Sequence, residues 1–384
     1  MKSMKFGITT WHTGSNAGTF FQLYGLYTYL RKQGHHVEVI DYVVVDKHDM
    51  LPRGWFYFVS QPLALIRRYF ERKKNKKVYI ENTAKFETDL SIRDQRFAEM
   101  YSTMLFTEEV STEEQFQKLN ERFDAFIVGS DQIWNAALLN RRYFLDYVIP
   151  GKIKASYAPS MGSGLVLKQQ QNMFQKYLKD FDYISTREKK LKDILSRLLE
   201  RNIEHVVDPS MLISREEYLK IAHLPEKFVG DRYLLCYFMP KNDMQKRQIK
   251  TFAKNRNLKI VMMAMWADEY KIDDAEIYAS AGPREFVGLI ANASLVFTSS
   301  FHCTIFSLMY HRDIYVFQQN STSKSADINQ RFVEQLENYN IMHRYIGWQK
   351  EITEENMKSI NFVAIDNAFK EQLRSSEVFL NSFC

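Results

Sequence analysis

Near the N-terminus the spacing of apolar side chains changes twice. Positions 5–9 form a short run suited to a buried strand, positions 20–33 repeat apolar residues every three or four places up to Gly34, and positions 37–41 return to a strand-like run. That order predicts strand, amphipathic helix and parallel strand, a βαβ unit with a polar loop at 11–19 between its first two elements. From 51 to about 120 the pattern turns charged, aromatic and helical with no clear strand, which reads as a helical insertion. Regular alternation resumes at 123–128 (FDAFIV).

Further strands are expected at 154–158, 182–185 and 204–207, separated by helical stretches such as 168–178 and 189–199. A second strand set follows at 233–239, 258–263, 295–298 and 314–317, again with helices between. The boundary falls between His205 and Arg232. The expected organisation is an N-terminal domain over 1–215 carrying the insertion at about 51–120, a second doubly wound α/β domain over 216–355, and a last segment, 356–384, whose helix packs back on the first domain.

Composition agrees with two cores, because 384 residues with 45% apolar side chains exceed what one core usually holds. The cysteines, Cys236, Cys303 and Cys384, are scattered and odd in number, so neither a disulfide framework nor a CxxC metal pattern can be drawn, and a reducing compartment fits. Residues 1–10 lack an apolar signal core, and nowhere do about 18 apolar residues run together, so a cytoplasmic protein is expected. The net charge of +6 suits an anionic substrate, nucleic acid or a membrane surface. Its main concentration is one stretch, 67–77 (RRYFERKKNKK).

In open parallel sheets, ligands bind beyond the carboxyl ends of strands, where helix N-termini offer free N–H groups and partial positive charge. In the loop 10–19 (TWHTGSNAGT), Gly14 and Gly18 permit close backbone approach, and Ser15, Asn16 and Thr19 can donate to a ligand or cap the helix. His12 on its own reads as structural. In 129–135 (GSDQIWN), Asp131 can accept from sugar hydroxyls and Trp134 can offer a ring face; the competing reading packs Trp134 under the loop and leaves Asp131 as a cap. Ser185 and Glu188 have capping-box spacing, which would place Arg187 at a positive helix end as a planar donor for carboxylate or phosphate, or as a solvated first-turn residue. In 295–308 (LVFTSSFHCTIFSL) a strand runs through Ser299 and Ser300 into a helix bearing His302 in its opening turn, a residue suited to oxyanion contact or proton transfer unless it faces the core.

Taken together, SNAGTFFQLYGL, VGSDQIWN, SYAPSMG, ISTREKK, VVDPSMLI and TSSFHCTIFSL resemble the ordered motif series of the polysaccharide pyruvyl transferase family, over roughly residues 7–317. Phe301 stands where the commonest form of the last motif has arginine, and Cys303 where a related form has glycine. The resemblance implies two Rossmann-like domains facing a cleft, as in GT-B glycosyltransferases. It further implies phosphoenolpyruvate as donor with no other cofactor and no metal, a saccharide with two free hydroxyls as acceptor, and a pyruvyl ketal as product. On this footing His302 contacts phosphate or transfers a proton, Arg187 binds the donor, and Asp131 is an acceptor contact or base. Ser299, Ser300 and Arg331 join the donor side, and Ser15, Asn16, Ser130, Trp134 and Ser160 the acceptor side. The acceptor could be a polysaccharide or a lipid-linked oligosaccharide, with the basic stretch touching the inner membrane surface.

Two other readings stay open at this point. A GT-B glycosyltransferase would present a nucleotide-sugar diphosphate to the same basic helix ends. A non-catalytic adaptor would use the basic and aromatic stretch 55–77 on a membrane or nucleic acid, although no nucleic-acid motif accompanies it.

Overall fold

Four-residue and five-residue runs that are apolar throughout cannot sit at a solvated sheet face, and here they form the middle of two parallel sheets. A computed structural model describes residues 3–42, 49, 51, 84–135, 139–162, 168–238, 243–264, 272–319, 330–348 and 350–384. The N-terminal half contains β1 (Lys5–Thr9), α1 (Ala17–Lys32), β2 (His36–Val39), α2 (Glu87–Tyr101), α3 (Glu113–Arg122), β3 (Ala125–Val128), β4 (Ile153–Ser156), α4 (Lys168–Leu178), β5 (Tyr183–Thr186), α5 (Lys189–Leu199) and β6 (Glu204–His205). Its sheet runs β2-β1-β3-β4-β5-β6, all parallel, with Phe6 opposite both Val37 and Ala125. The described part of the insertion holds α2 and α3; the basic stretch 67–77, and with it the reading as a membrane or nucleic-acid contact, lies outside the described residues.

The second half follows with α6 (Arg215–Ile221), β7 (Tyr233–Tyr237), α7 (Asp243–Arg256), β8 (Lys259–Met262), β9 (Ala275–Ile277), α8 (Pro283–Asn292), β10 (Leu295–Thr298), α9 (Phe301–Met309), β11 (Ile314–Phe317), α10 (Gln330–Asn338), β12 (Tyr345–Ile346) and α11 (Phe362–Asn381). Its sheet is also parallel, ordered β9-β8-β7-β10-β11-β12, so the strand order reverses at the β7/β10 boundary as in a Rossmann fold. The protein is thus an α/β chain of two Rossmann-like units. Among the described residues no helix is long and apolar enough to cross a membrane.

An apolar seam joins the halves. Phe21 of α1 packs on Phe306 of α9 with ring centroids 4.7 Å apart and on Phe286 of α8 at 5.5 Å. Beside it Arg96 of α2 donates to Ser280 O at 2.7 Å and to the Tyr278 hydroxyl at 2.9 Å. Helix α11 touches both halves: the Ser376 hydroxyl accepts from Val207 N at 2.9 Å, and Gln372 accepts from the Tyr339 hydroxyl at 2.9 Å.

Candidate functional site

The carboxyl ends of the two sheets meet, and the loops named above are built around that meeting. At the β1/β3 switch point Gln22, fully buried on α1, ties two loops together: its Nε2 donates to Trp11 O at 3.1 Å and Thr19 O at 2.9 Å, and its Oε1 accepts from Ser130 N at 2.9 Å. Asn16 caps α1, accepting from Gly18 N at 2.8 Å and Thr19 N at 3.3 Å. The Thr19 hydroxyl in turn donates to Asp131 Oδ2 at 3.0 Å, which fixes that carboxylate beside the helix start.

Arg187 directly follows β5 and Asp208 follows β6, leading the tight turn Pro209–Met211. Arg187 Nη1 donates to Asp208 Oδ2 at 2.6 Å, while Asp208 Oδ1 accepts from the Ser210 hydroxyl at 2.7 Å. From the other half, His302 Nε2 lies 3.4 Å from the same Oδ2, and the Phe301 ring lies under the guanidinium, 5.1 Å from centroid to Cζ. A Cβ on Gly18 would stand 2.5 Å from His302 Nδ1, so the imidazole is seated on the first turn of α1 and a larger residue there would displace it.

Charges are strongly coupled here. Burial opposes ionisation of Asp208, yet His302, Arg187 and the Ser210 hydroxyl outweigh it and hold the carboxyl far below the usual range. Burial likewise opposes the Arg187 charge, and Asp208, Glu188 and Asp131 overcome it, so the guanidinium is held protonated more firmly than usual.

One carboxylate does not exhaust the donors. Arg187 Nε and Nη2 and Ser299 Oγ are buried and have no hydrogen-bond partner among the described residues, and His302 Nε2 has only its long contact to Asp208. Unpaired buried polar groups cost roughly 1–3 kcal/mol each, so two on one buried guanidinium mark a place that a ligand completes. Their chemistry, a guanidinium fork beside an imidazole and a hydroxyl at a helix start, suits a small polyanion.

Other expected site residues have different employment. Trp134 is fully buried, its indole N–H donating to Tyr143 O at 2.9 Å and its ring stacked on Phe144, so it has no face for a sugar and leaves the acceptor set. Ser130 is sealed, donating to Ala158 O at 2.8 Å, and Ser160 is sealed against Glu188. Ser300 caps α9 through Cys303 N, and Ser15 donates to Asp94. The capping box expected of Ser185 and Glu188 does not form: Ser185 lies within β5 and donates to Ser156 O at 2.8 Å, because the strand runs on to Thr186 and α5 begins only at Lys189. Arg331 falls in the first turn of α10, and its side chain is outside the described residues. Cys303 is fully buried, and burial pushes its thiol up to about 12.

Asp208 is the residue that sequence reasoning passed over. It stands in the quoted VVDPSMLI segment, and the signal available was an aspartate just after a strand and just before proline, the position of a turn cap aimed at the sheet's carboxyl edge.

A family model described as polysaccharide pyruvyl transferase matches residues 16–318. No curated protein matches the chain significantly. Among solved structures, a UDP-GlcNAc 2-epimerase from Methanocaldococcus jannaschii in complex with UDP-GlcNAc and UDP is 14% identical, with 99% of each chain covered and a TM-score of 0.49. An alpha-glucosyltransferase in complex with UDP and DNA is 10% identical over 100% of this chain and 97% of that one, with a TM-score of 0.49. The glycosyltransferase SnogD from Streptomyces nogalater is 10% identical over 98% and 95%, with a TM-score of 0.43. The family match spans most of the chain and every residue of the Arg187, Asp208 and His302 cluster, and on that match the chain belongs to the polysaccharide pyruvyl transferase family.

Proposed function

We propose that the protein transfers the three-carbon unit of phosphoenolpyruvate to two hydroxyls of a saccharide, forming a pyruvyl ketal and releasing phosphate. The observation that carries this reading is that Arg187 and His302, one from each half, meet at Asp208 with Arg187 Nε and Nη2 left buried and unfilled. Phosphoenolpyruvate brings a carboxylate and a phosphate, and Arg187 with the Ser299–His302 turn can take one each.

The chemistry then runs in balanced steps. A proton added to the methylene carbon makes a methyl group and leaves an oxocarbenium-like centre at the adjacent carbon, next to the carboxylate. One sugar hydroxyl attacks that carbon and loses its proton. The carbon–oxygen bond to phosphate breaks, the second hydroxyl attacks in turn, and loss of its proton completes the ketal. In this scheme Arg187 orients the donor, His302 contacts phosphate or passes the proton, and Asp131 accepts from an attacking hydroxyl. Asp208 is a positioning residue that holds the guanidinium and the imidazole at one spacing. The acceptor belongs to a polysaccharide or a lipid-linked oligosaccharide, met at the inner face of the membrane.

A donor screen tests this reading. Phosphoenolpyruvate should raise the melting temperature and UDP- or GDP-sugars should not; with a galactose- or mannose-containing acceptor, phosphate should appear together with an acceptor heavier by one ketal. Stabilisation by nucleotide sugars alone would move the protein to the glycosyltransferases.

A further inference from the structure

Next to the reaction centre, on the N-terminal half, lies a cavity of about 790 Å³ whose lining includes Ser15 and Asn16 of the expected acceptor side. It opens at the carboxyl ends of β1 and β2, between the loop 10–19 and helix α2. Its polar lining includes His12, Ser15, Asp41, Arg93 and Asp94, and the rings of Phe97, Tyr101 and Phe106 close one side. This volume is within the range of pockets that bury small ligands, and rings combined with carboxylates and hydroxyls are what a saccharide's apolar faces and hydroxyl edges require.

The acidic groups of this lining are already engaged. Asp41 Oδ1 lies 2.8 Å from His12 Nε2, whose Nδ1 is 3.0 Å from Thr10 O, and Asp94 accepts from the Ser15 hydroxyl. Arg93 is not. Its Nε and Nη1 are buried without a hydrogen-bond partner among the described residues, and the neighbouring Asp94 carboxylate is 3.8 Å from Nε, beyond hydrogen-bond reach. Two buried donors of a largely buried guanidinium left without a hydrogen bond are a cost that a bound carboxylate or phosphate would remove.

The cavity also connects to the chemistry. Tyr101, the last residue of α2, has a buried hydroxyl with no hydrogen-bond partner among the described residues, and burial followed by the negative charge of Asp131 pushes its ionisation up. Thr19, three residues beyond the cavity's Asn16, is the donor to Asp131.

We infer that this cavity is the acceptor subsite and that it selects a saccharide carrying an anionic group, a carboxylate or a phosphate, which the Arg93 guanidinium engages while the rings and Asp41 hold the sugar. The inference rests on the pyruvyl-transfer reading for the word acceptor; the recognition of an anionic sugar does not.

Binding measured without donor keeps the two apart. Galactose, galacturonate and galactose 1-phosphate are titrated against the full-length wild type and the Arg93→Met and Arg93→Lys variants, with melting temperatures as the check on folding. The wild type should prefer at least one of the charged sugars over galactose by roughly tenfold or more, the worth of one charge-assisted contact. In Arg93→Met that preference should fall to about one, with melting temperature kept or raised, and Arg93→Lys should retain part of it. Which charged sugar is preferred distinguishes a uronate from a phosphate-bearing acceptor. Equal binding of all three sugars by the wild type, or a preference untouched in Arg93→Met, overturns the inference even if phosphoenolpyruvate binds. Failure of phosphoenolpyruvate to bind, with the charged-sugar preference intact, would instead remove the donor reading and leave the anionic subsite standing.

Discussion

Asp208 shows how one side chain organises the centre. It is wholly buried and shares a single oxygen between Arg187 and His302, which come from different halves. Asp208→Asn keeps the shape and removes the charge, leaving a guanidinium and an imidazole facing each other; the expected cost at neutral pH is roughly 3–5 kcal/mol of stability. The pH dependence has a definite sign. A carboxyl whose folded-state value is depressed contributes fully above its unfolded value of about 4 and loses that contribution as pH falls toward the folded value. Urea midpoints taken from about pH 7 down to about pH 2 should therefore show the gap between wild type and Asp208→Asn narrowing below about pH 4. A gap that stays constant across that range would show that the Asp208 charge is not what supports the site.

Helices carry the next level of control, because α1 delivers a cap, a clamp and two close approaches within one stretch. Asn16 caps it, Gln22 binds the switch-point loops, Gly18 admits His302, and Gly25 admits the turn after β6. A Cβ on Gly25 would lie 2.1 Å from Pro209 O, a backbone atom that cannot swing aside, so Gly25→Ala must push α1 away from the Asp208 turn. The expected loss is about 1–3 kcal/mol by chemical denaturation, accompanied by weaker donor binding because Asp208 moves with its turn. Wild-type stability and donor affinity in Gly25→Ala would mean that the contact is not maintained. Such approaches also explain what was legible beforehand. Helices α4 and α5 and strands β1, β10 and β11 match their apolar patterns residue for residue, since periodicity is a local signal. Strands β9 and β12 escaped because they are three and two residues long, too short to show alternation. Arg187 and His302 were visible as polar residues after strands. The fates of Trp134, Ser130 and Ser160 were not, because what seals them is packing from residues distant in sequence, such as Phe144 and Glu188.

At the scale of the whole molecule, the strand order of both sheets brings two switch points together, and the apolar seam of Phe21, Phe286 and Phe306 holds them so. Neither half alone holds the complete donor set: Arg187 and Asp208 come from one, His302 and Ser299 from the other. The most direct test is an equilibrium titration of phosphoenolpyruvate against wild type, Arg187→Met and His302→Gln, with folding verified for each. The account predicts that each substitution, one per half, weakens donor binding by roughly tenfold or more, the worth of a charge-assisted hydrogen bond. Donor affinity equal to wild type in either folded variant would contradict it.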